Sequence, residues 1–201
     1  MITIVDYNVG NLLSFVNLYS RLNIECILAR SPTDLERASR IILPGVGSFD
    51  HAMESLEQSG MLPVLEKQVV NNGVPVLGIC VGMQMLAQGS DEGTRPGLGW
   101  VKGHVKRFNE SDVPMLPHMG WNDVNPLGEH PLFREMGTSP LFYFLHSYYF
   151  SCEHPENVLA STYYGSDFAC AVAEENIHGV QFHPEKSHAA GIQLLRNFSE
   201  I

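Results

Sequence analysis

Five consecutive residues, Gly78-Ile79-Cys80-Val81-Gly82, set a potential nucleophile between two glycines. The preceding run "VPVLGI" is rich in strand formers and the segment 81–88 reads as helical, so Cys80 sits at a strand-to-helix corner. Such a corner strains its central residue, and small neighbours two positions away on either side let strand and helix pass closely. A sulfur there meets the positive end of a helix dipole, which favours negative charge. The Val81 N–H points to where an oxyanion forms on an attacked carbonyl. Cys26, Cys152 and Cys170 share with Cys80 neither a CxxC pairing nor regular spacing, which argues against a zinc cage and against a disulfide framework.

A cysteine nucleophile needs a base, and nine histidines compete: His51, His104, His118, His130, His146, His154, His178, His183 and His188. In "HGVQFHPEKS" His183 follows a strand-like run and Glu185 lies two positions on, a spacing that puts both side chains on one side of an extended segment. The carboxylate would hold one ring nitrogen and leave the other to take the thiol proton, while Pro184 keeps His183 out of helix. The five-residue spacing of His178, His183 and His188 fits neither HExxH nor a finger pattern. Taken alone, the elbow reads equally as a buried thiol in a tight turn, and His183 as a surface histidine beside a strand end. Together, in the order Cys, His, Glu, they point to acyl transfer through a thioester with release of a small amine.

These residues must be positioned by a scaffold. Apolar runs at 2–7, 24–29, 40–45 and 74–79 alternate with helical segments at about 11–22, 33–38, 50–71 with a break near Gly60, and 81–88. That alternation predicts an α/β fold with a largely parallel sheet covered on both faces. From Trp100 the pattern changes to shorter pieces, "WVKGHVKRF", "LFYFLHSYYF", "NVLASTYY" and "FACAVAEE", which read as a smaller antiparallel portion, closed by a helix at about 188–199. With 201 residues, 44% of them hydrophobic, the chain is expected to form one domain over 1–201. No apolar run approaches the ~20 residues of a membrane span. The start "MITIVDYNVGN" lacks a basic leader region, so a cytoplasmic setting is expected. A net charge of −10 without any basic run makes nucleic acid an improbable partner.

The Gly-x-Cys-x-Gly-x-Gln elbow at 78–84 and His183-Pro184-Glu185 resemble the motifs of class I (triad) glutamine amidotransferases. "LPGVGSF" at 43–49 is similar to the loop that in this family supplies a second oxyanion donor and lines the glutamine pocket. Four further stretches, "DYNVGNLLS", "LPHMGWNDV", "FYFLHSYYF" and "HGVQFHPEKS", extend the resemblance over essentially the whole chain. They resemble the branch of glutaminase subunits that serve imidazole glycerol phosphate synthases. Val81 departs from the leucine common after the cysteine, a change that leaves the amide in place.

The resemblance implies a three-layer α/β/α fold and hydrolysis of glutamine by Cys80, His183 and Glu185, with no cofactor and no metal. It implies an oxyanion hole from Val81, Val46 and Gly47, and glutamine contacts from Gly45, Gln84, Glu92, Ser147 and Tyr148. Ammonia would pass to a cyclase subunit docked on Asn11, Pro117, Met119, Trp121, Tyr143 and Lys186. The chemistry itself asks for a receiver, because ammonia released into neutral water is mostly protonated and no longer nucleophilic. Val46, between two glycines, has unusual peptide freedom, so docking of the partner could set its amide into the hole.

Overall fold

The computed structural model describes residues 1–201. The first half runs β1 (Ile2–Val5), α1 (Leu12–Arg21), β2 (Cys26–Ala29), α2 (Pro32–Leu35), β3 (Ile41–Gly45), α3 (Phe49–Gln58), α4 (Leu62–Glu66), β4 (Val76–Cys80) and α5 (Val81–Gln84). Every residue of β1, β3 and β4 is buried, as strands covered on both faces require. The second half runs β5 (Gly103–Arg107), β6 (His118–Asp123), β7 (Asn125–Pro126), β8 (Leu141–His146), β9 (Tyr148–Cys152), β10 (Val158–Tyr164), β11 (Ser166–Glu174), β12 (Ile177–Val180) and α6 (His188–Phe198).

The main sheet has the order β2-β1-β3-β4-β12-β11-β10-β7, with β9 joining β11 to β5. The first five strands are parallel, and the strands beyond β12 pair antiparallel. From β1 the chain steps outward to β2 through α1 and returns across the sheet to β3 through α2. Right-handed crossovers in opposite directions put these helices on opposite faces, which gives three layers. On one face α1 packs on α6, and Tyr19 Oη donates to the Leu195 carbonyl at 3.2 Å. A separate two-stranded antiparallel sheet, β6 with β8, stands beside this body.

The helices α1 and α6 match the expected spans, and the segment 50–71 runs as α3, α4 and a π-helical turn, Lys67–Asn71, whereas α2 and α5 are shorter than the sequence periodicity predicts. Gly60, at φ +71°, ends α3 at the expected break. The helix expected over 81–88 stops at Gln84, because the segment 97–101 claims its later carbonyls. Leu98 N–H donates to Met85 O, Val101 N–H to Leu86 O and Gly99 N–H to Ala87 O. The sequence patterns predict no strand at β6, where the alternating apolar residues Met119 and Trp121 face solvent while His118 is the buried one. No helix is long and apolar enough to cross a membrane.

Candidate active site

Strands β3, β4 and β12 end side by side, and the corner after β4 carries Cys80 at φ 55°, ψ −113°, a conformation that costs a residue with a Cβ. The surrounding glycines are required by contact. A Cβ on Gly78 would lie 2.6 Å from the Gly82 carbonyl oxygen, and one on Gly82 would lie 2.0 Å from the Leu43 oxygen. A Cβ on Gly45, which pairs in register with Cys80, would lie 2.2 Å from the Gly82 nitrogen. Backbone thus meets backbone beneath the elbow, and the thiol is lifted to the sheet's edge. Below it the buried Tyr7 donates its hydroxyl to the Pro44 carbonyl, and burial together with the nearby Cys80 pushes its pKa up.

From the neighbouring strand end, His183 faces Cys80, and its Nδ1 lies 2.9 Å from Glu185 Oε1. Both side chains of this pair are only 4% exposed. The segment is not extended throughout, as the spacing implied: His183 has β geometry, then Pro184 opens a short 3-10 turn, Pro184–Lys186, that swings Glu185 back onto the ring. Burial disfavours charge on His183, but hydrogen bonds to Cys80 and Glu185 and the negative charge of both outweigh it, raising its pKa to about 10. Ser187 fixes this turn from behind. Its Oγ donates to the His183 carbonyl at 2.6 Å and accepts from Tyr143 N–H at 3.0 Å, while His183 N–H donates to the Tyr143 carbonyl. Neither Ser187 nor Gln181 stands out in the sequence, yet Gln181 Nε2 lies 3.8 Å from the Cys80 sulfur.

Cys80 and His183 open on a cavity of about 300 Å³ walled by Val46, Gly47, Val81, Gln84, Pro117, Leu145, His146, Ser147, Tyr148 and Lys186. The expected oxyanion donors, the Gln84 side chain and the 147–148 backbone therefore share one space with the thiol. Gly45 and Glu92 are not among its walls. Gly45 lies beneath the elbow, and Glu92 Oε2 accepts from Phe49 N–H at 2.8 Å, occupying the start of α3. Burial raises the Glu92 pKa against the lowering effect of that bond. Its Oε1 takes no hydrogen bond from the protein. Nothing in the sequence distinguishes His146, a wall of the cavity, among the nine histidines.

Beside the cavity mouth the outer face of β6 and β8 is apolar and exposed. In-register pairs set Met119 against Leu145 and Trp121 against Tyr143, and Met119 is 63% and Trp121 47% exposed. Trp121 stacks on His188, and Lys186 Nζ stands 5.7 Å from the centre of the Tyr143 ring. Asn11 and Pro117 are also exposed. This exposed apolar face adjoins the cavity through Leu145, Pro117 and Lys186, which also line it.

An α/β/α sheet whose edge carries an elbow cysteine, a histidine and a carboxylate is the architecture of a cysteine-dependent amidotransferase. The family model described as glutamine amidotransferase class-I matches residues 3–201. A protein of Bdellovibrio bacteriovorus named imidazole glycerol phosphate synthase subunit HisH is 57% identical over the whole of both chains, and one of that name from Leptospira borgpetersenii is 48% identical over the same extent. A crystal structure of a glutamine amidotransferase superimposes with TM-score 0.78 at 21% identity, covering 99% of this chain and 97% of the other. The chain belongs to the class I glutamine amidotransferases and, within them, to the HisH subunits.

Proposed function

We propose that this chain hydrolyses glutamine to glutamate and ammonia through a cysteinyl thioester and hands the ammonia to the cyclase subunit of an imidazole glycerol phosphate synthase, in histidine biosynthesis. The observation that carries the reading is the Cys80, His183 and Glu185 array at the wall of a cavity that reaches an exposed aromatic face. His183 takes the Cys80 proton, and the thiolate attacks the side-chain amide carbon of glutamine. The N–H groups of Val81 and of the Val46-Gly47 loop hold the resulting oxyanion. Collapse breaks the C–N bond as His183 returns a proton to nitrogen, and ammonia leaves. Water then loses a proton to His183 and adds to the thioester; the C–S bond breaks, releasing glutamate and the thiol. Glu185 orients the ring and stabilises its cation. Glu92 lies outside the walls of the cavity that holds the thiol, and its Oε1, which takes no bond from the protein, is the atom proposed to reach the substrate's α-ammonium group.

The partner docks on Met119, Trp121, Tyr143, Pro117, Asn11 and Lys186, and covers the cavity mouth so that ammonia is not lost to water as ammonium. Docking also sets the Val46 amide, beside Gly47 at φ +87°, into the hole. The complex works in the cytoplasm, a compartment in which the four free cysteines stay reduced. The test is glutamate release by the purified chain, alone and with the cyclase subunit and its ribonucleotide substrate. Strong stimulation in the complex, lost in Cys80→Ala, supports the proposal. Absence of glutamate in every mixture overturns it.

A further inference from the structure

Two buried histidines that the mechanism does not use join the small β6–β8 sheet to the cavity. His118 and His146 face each other across the strands, with His118 Nδ1 2.9 Å from His146 Nε2. His146 Nδ1 lies 2.7 Å from the Tyr148 carbonyl, and His118 Nε2 lies 3.3 Å from Asn122 Nδ2. The His118 ring is stacked between Phe144 and Tyr164, at centroid distances of 4.7 and 3.9 Å.

The protons of this chain are determined by its two ends. A carbonyl only accepts, so His146 carries its proton on Nδ1 and must accept at Nε2; His118 therefore donates from Nδ1 and accepts at Nε2 from the Asn122 amide. Asn122 is held in that orientation because its Nδ2 also donates to the Tyr163 carbonyl and its Oδ1 accepts from Asp123 N–H. Both rings are then neutral with every nitrogen engaged. Burial agrees, holding His118 at about 4 and His146 at about 3.

The same Tyr148 carbonyl takes a second donor, Gln84 Nε2, at 3.3 Å. The other Gln84 amide hydrogen goes to Gln181 Oε1 at 3.0 Å, which turns the Gln181 Nε2 toward the Cys80 sulfur. With both hydrogens committed, Gln84 offers a ligand only its Oε1. One acceptor thus sets the direction of two side-chain amides that end at the thiol.

We propose that His146, held by His118, is a positioning residue for the glutamine pocket: it fixes the Tyr148 carbonyl and so presents Gln84 as an acceptor to the substrate. The inference rests on the glutaminase reading of this cavity. Both ring nitrogens of His146 are used within the protein, so it acts through Tyr148 and does not bond the substrate itself.

The test is glutamine hydrolysis by the full chain in complex with its cyclase, separating KM from kcat, with thermal midpoints as the check on folding. Loss of one such bond is worth about tenfold, so His146→Ala is expected to raise KM for glutamine about tenfold with kcat changed less than about threefold. His146→Asn, whose amide nitrogen overlays Nδ1, restores the bond to Tyr148 and brings KM back. His146→Gln, which reaches only the Nε2 position, does not. If the Ala variant fails to fold, the Asn and Gln variants still decide. Wild-type turnover with an unchanged KM in His146→Ala, or with Asn and Gln variants alike, overturns the positioning role and leaves the glutaminase reading standing. A wild-type complex that releases no glutamate overturns the glutaminase reading, and this inference with it.

Discussion

Glu185 meets His183 through Oε1 alone, at 2.9 Å, and its second oxygen is buried with no hydrogen-bond partner. A carboxylate held by one ring N–H, with nothing else to satisfy it, is placed to act on that ring and on little besides. Glu185→Gln keeps the volume but removes the charge, and a flipped amide would offer Nδ1 a donor and favour the wrong tautomer. By analogy with triads in which the acid is neutralised, kcat is expected to fall by about 10²–10⁴-fold. The chain should stay folded with a lowered thermal midpoint, because the Glu185 charge is one of the groups that stabilise the protonated His183 ring. Comparison of glutamate release with melting curves checks this, and unchanged turnover would remove Glu185 from the mechanism.

The glycines beneath the elbow make a stability prediction that is independent of chemistry. Gly82→Ala would drive a Cβ to 2.0 Å from the Leu43 oxygen, and Gly45→Ala would drive one to 2.2 Å from the Gly82 nitrogen. Backbone atoms of packed strands cannot step aside as a flexible side chain does, so each variant should lose about 1–3 kcal/mol or more. Gly128→Ala, where nothing lies within 4 Å, is the control and should change stability by less than about 0.5 kcal/mol. Urea denaturation midpoints separate the two groups.

That contrast also explains what could be read from the chain beforehand. The elbow was legible because its demand is local: Gly78 and Gly82 flank Cys80 within one turn, and His183 and Glu185 lie two residues apart. The supports were not legible. His118 and His146 meet only through the register of β6 on β8, and Gln181 reaches Cys80 only because β12 lies beside β4. The bond from Phe49 N–H to Glu92 Oε2 at the start of α3 is likewise set by how a loop folds over a helix distant in sequence. Pattern and propensity carry no record of such pairings, which are decided by tertiary packing.

Acid stability should be dominated by buried histidines. Burial lowers His118 to about 4, His146 to about 3 and His178 to about 4, from an ordinary value of 6.5. Between 6.5 and about 4 the unfolded chain therefore binds more protons than the folded one, and stability falls as pH drops through that window. His183 runs the opposite way: its folded value is raised, so its contribution is complete below 6.5 and is lost as pH climbs toward about 10. Unfolding free energies measured from pH 6.5 down to 5, above most carboxylate titration, should show a proton uptake approaching one per lowered histidine. A flat profile would contradict their burial as neutral rings.

The exposed face of β6 and β8 should carry binding energy without carrying the fold. Trp121 and Met119 project outward, and only Trp121 has an aromatic partner there, in His188 and Tyr143. Truncating a central aromatic anchor typically costs about 2 kcal/mol or more, so Trp121→Ala should weaken association with the cyclase about 30-fold or more. The isolated chain should keep its melting point. Calorimetric titration of the two subunits reads the first effect and thermal scanning the second.

The backbone of Cys80 itself offers a separation of function from stability. At φ 55° and ψ −113° the residue lies where a side chain is disfavoured by about 1–3 kcal/mol, and the strain is the means by which the sulfur clears the sheet edge. Both Cys80→Ala and Cys80→Gly remove the nucleophile, so neither should release glutamate. They differ in what they do to the strain. Alanine keeps the Cβ and with it the whole penalty, whereas glycine adopts this geometry freely and gives back only about 0.5–1 kcal/mol of unfolded-chain entropy. Cys80→Gly should therefore be the more stable of the two by up to about 2 kcal/mol, even though glycine is ordinarily the destabilising choice at a strand end. Equal stability, or the reverse order, would mean that the corner holds no strain and that the close passage of Gly45, Gly78 and Gly82 alone shapes it.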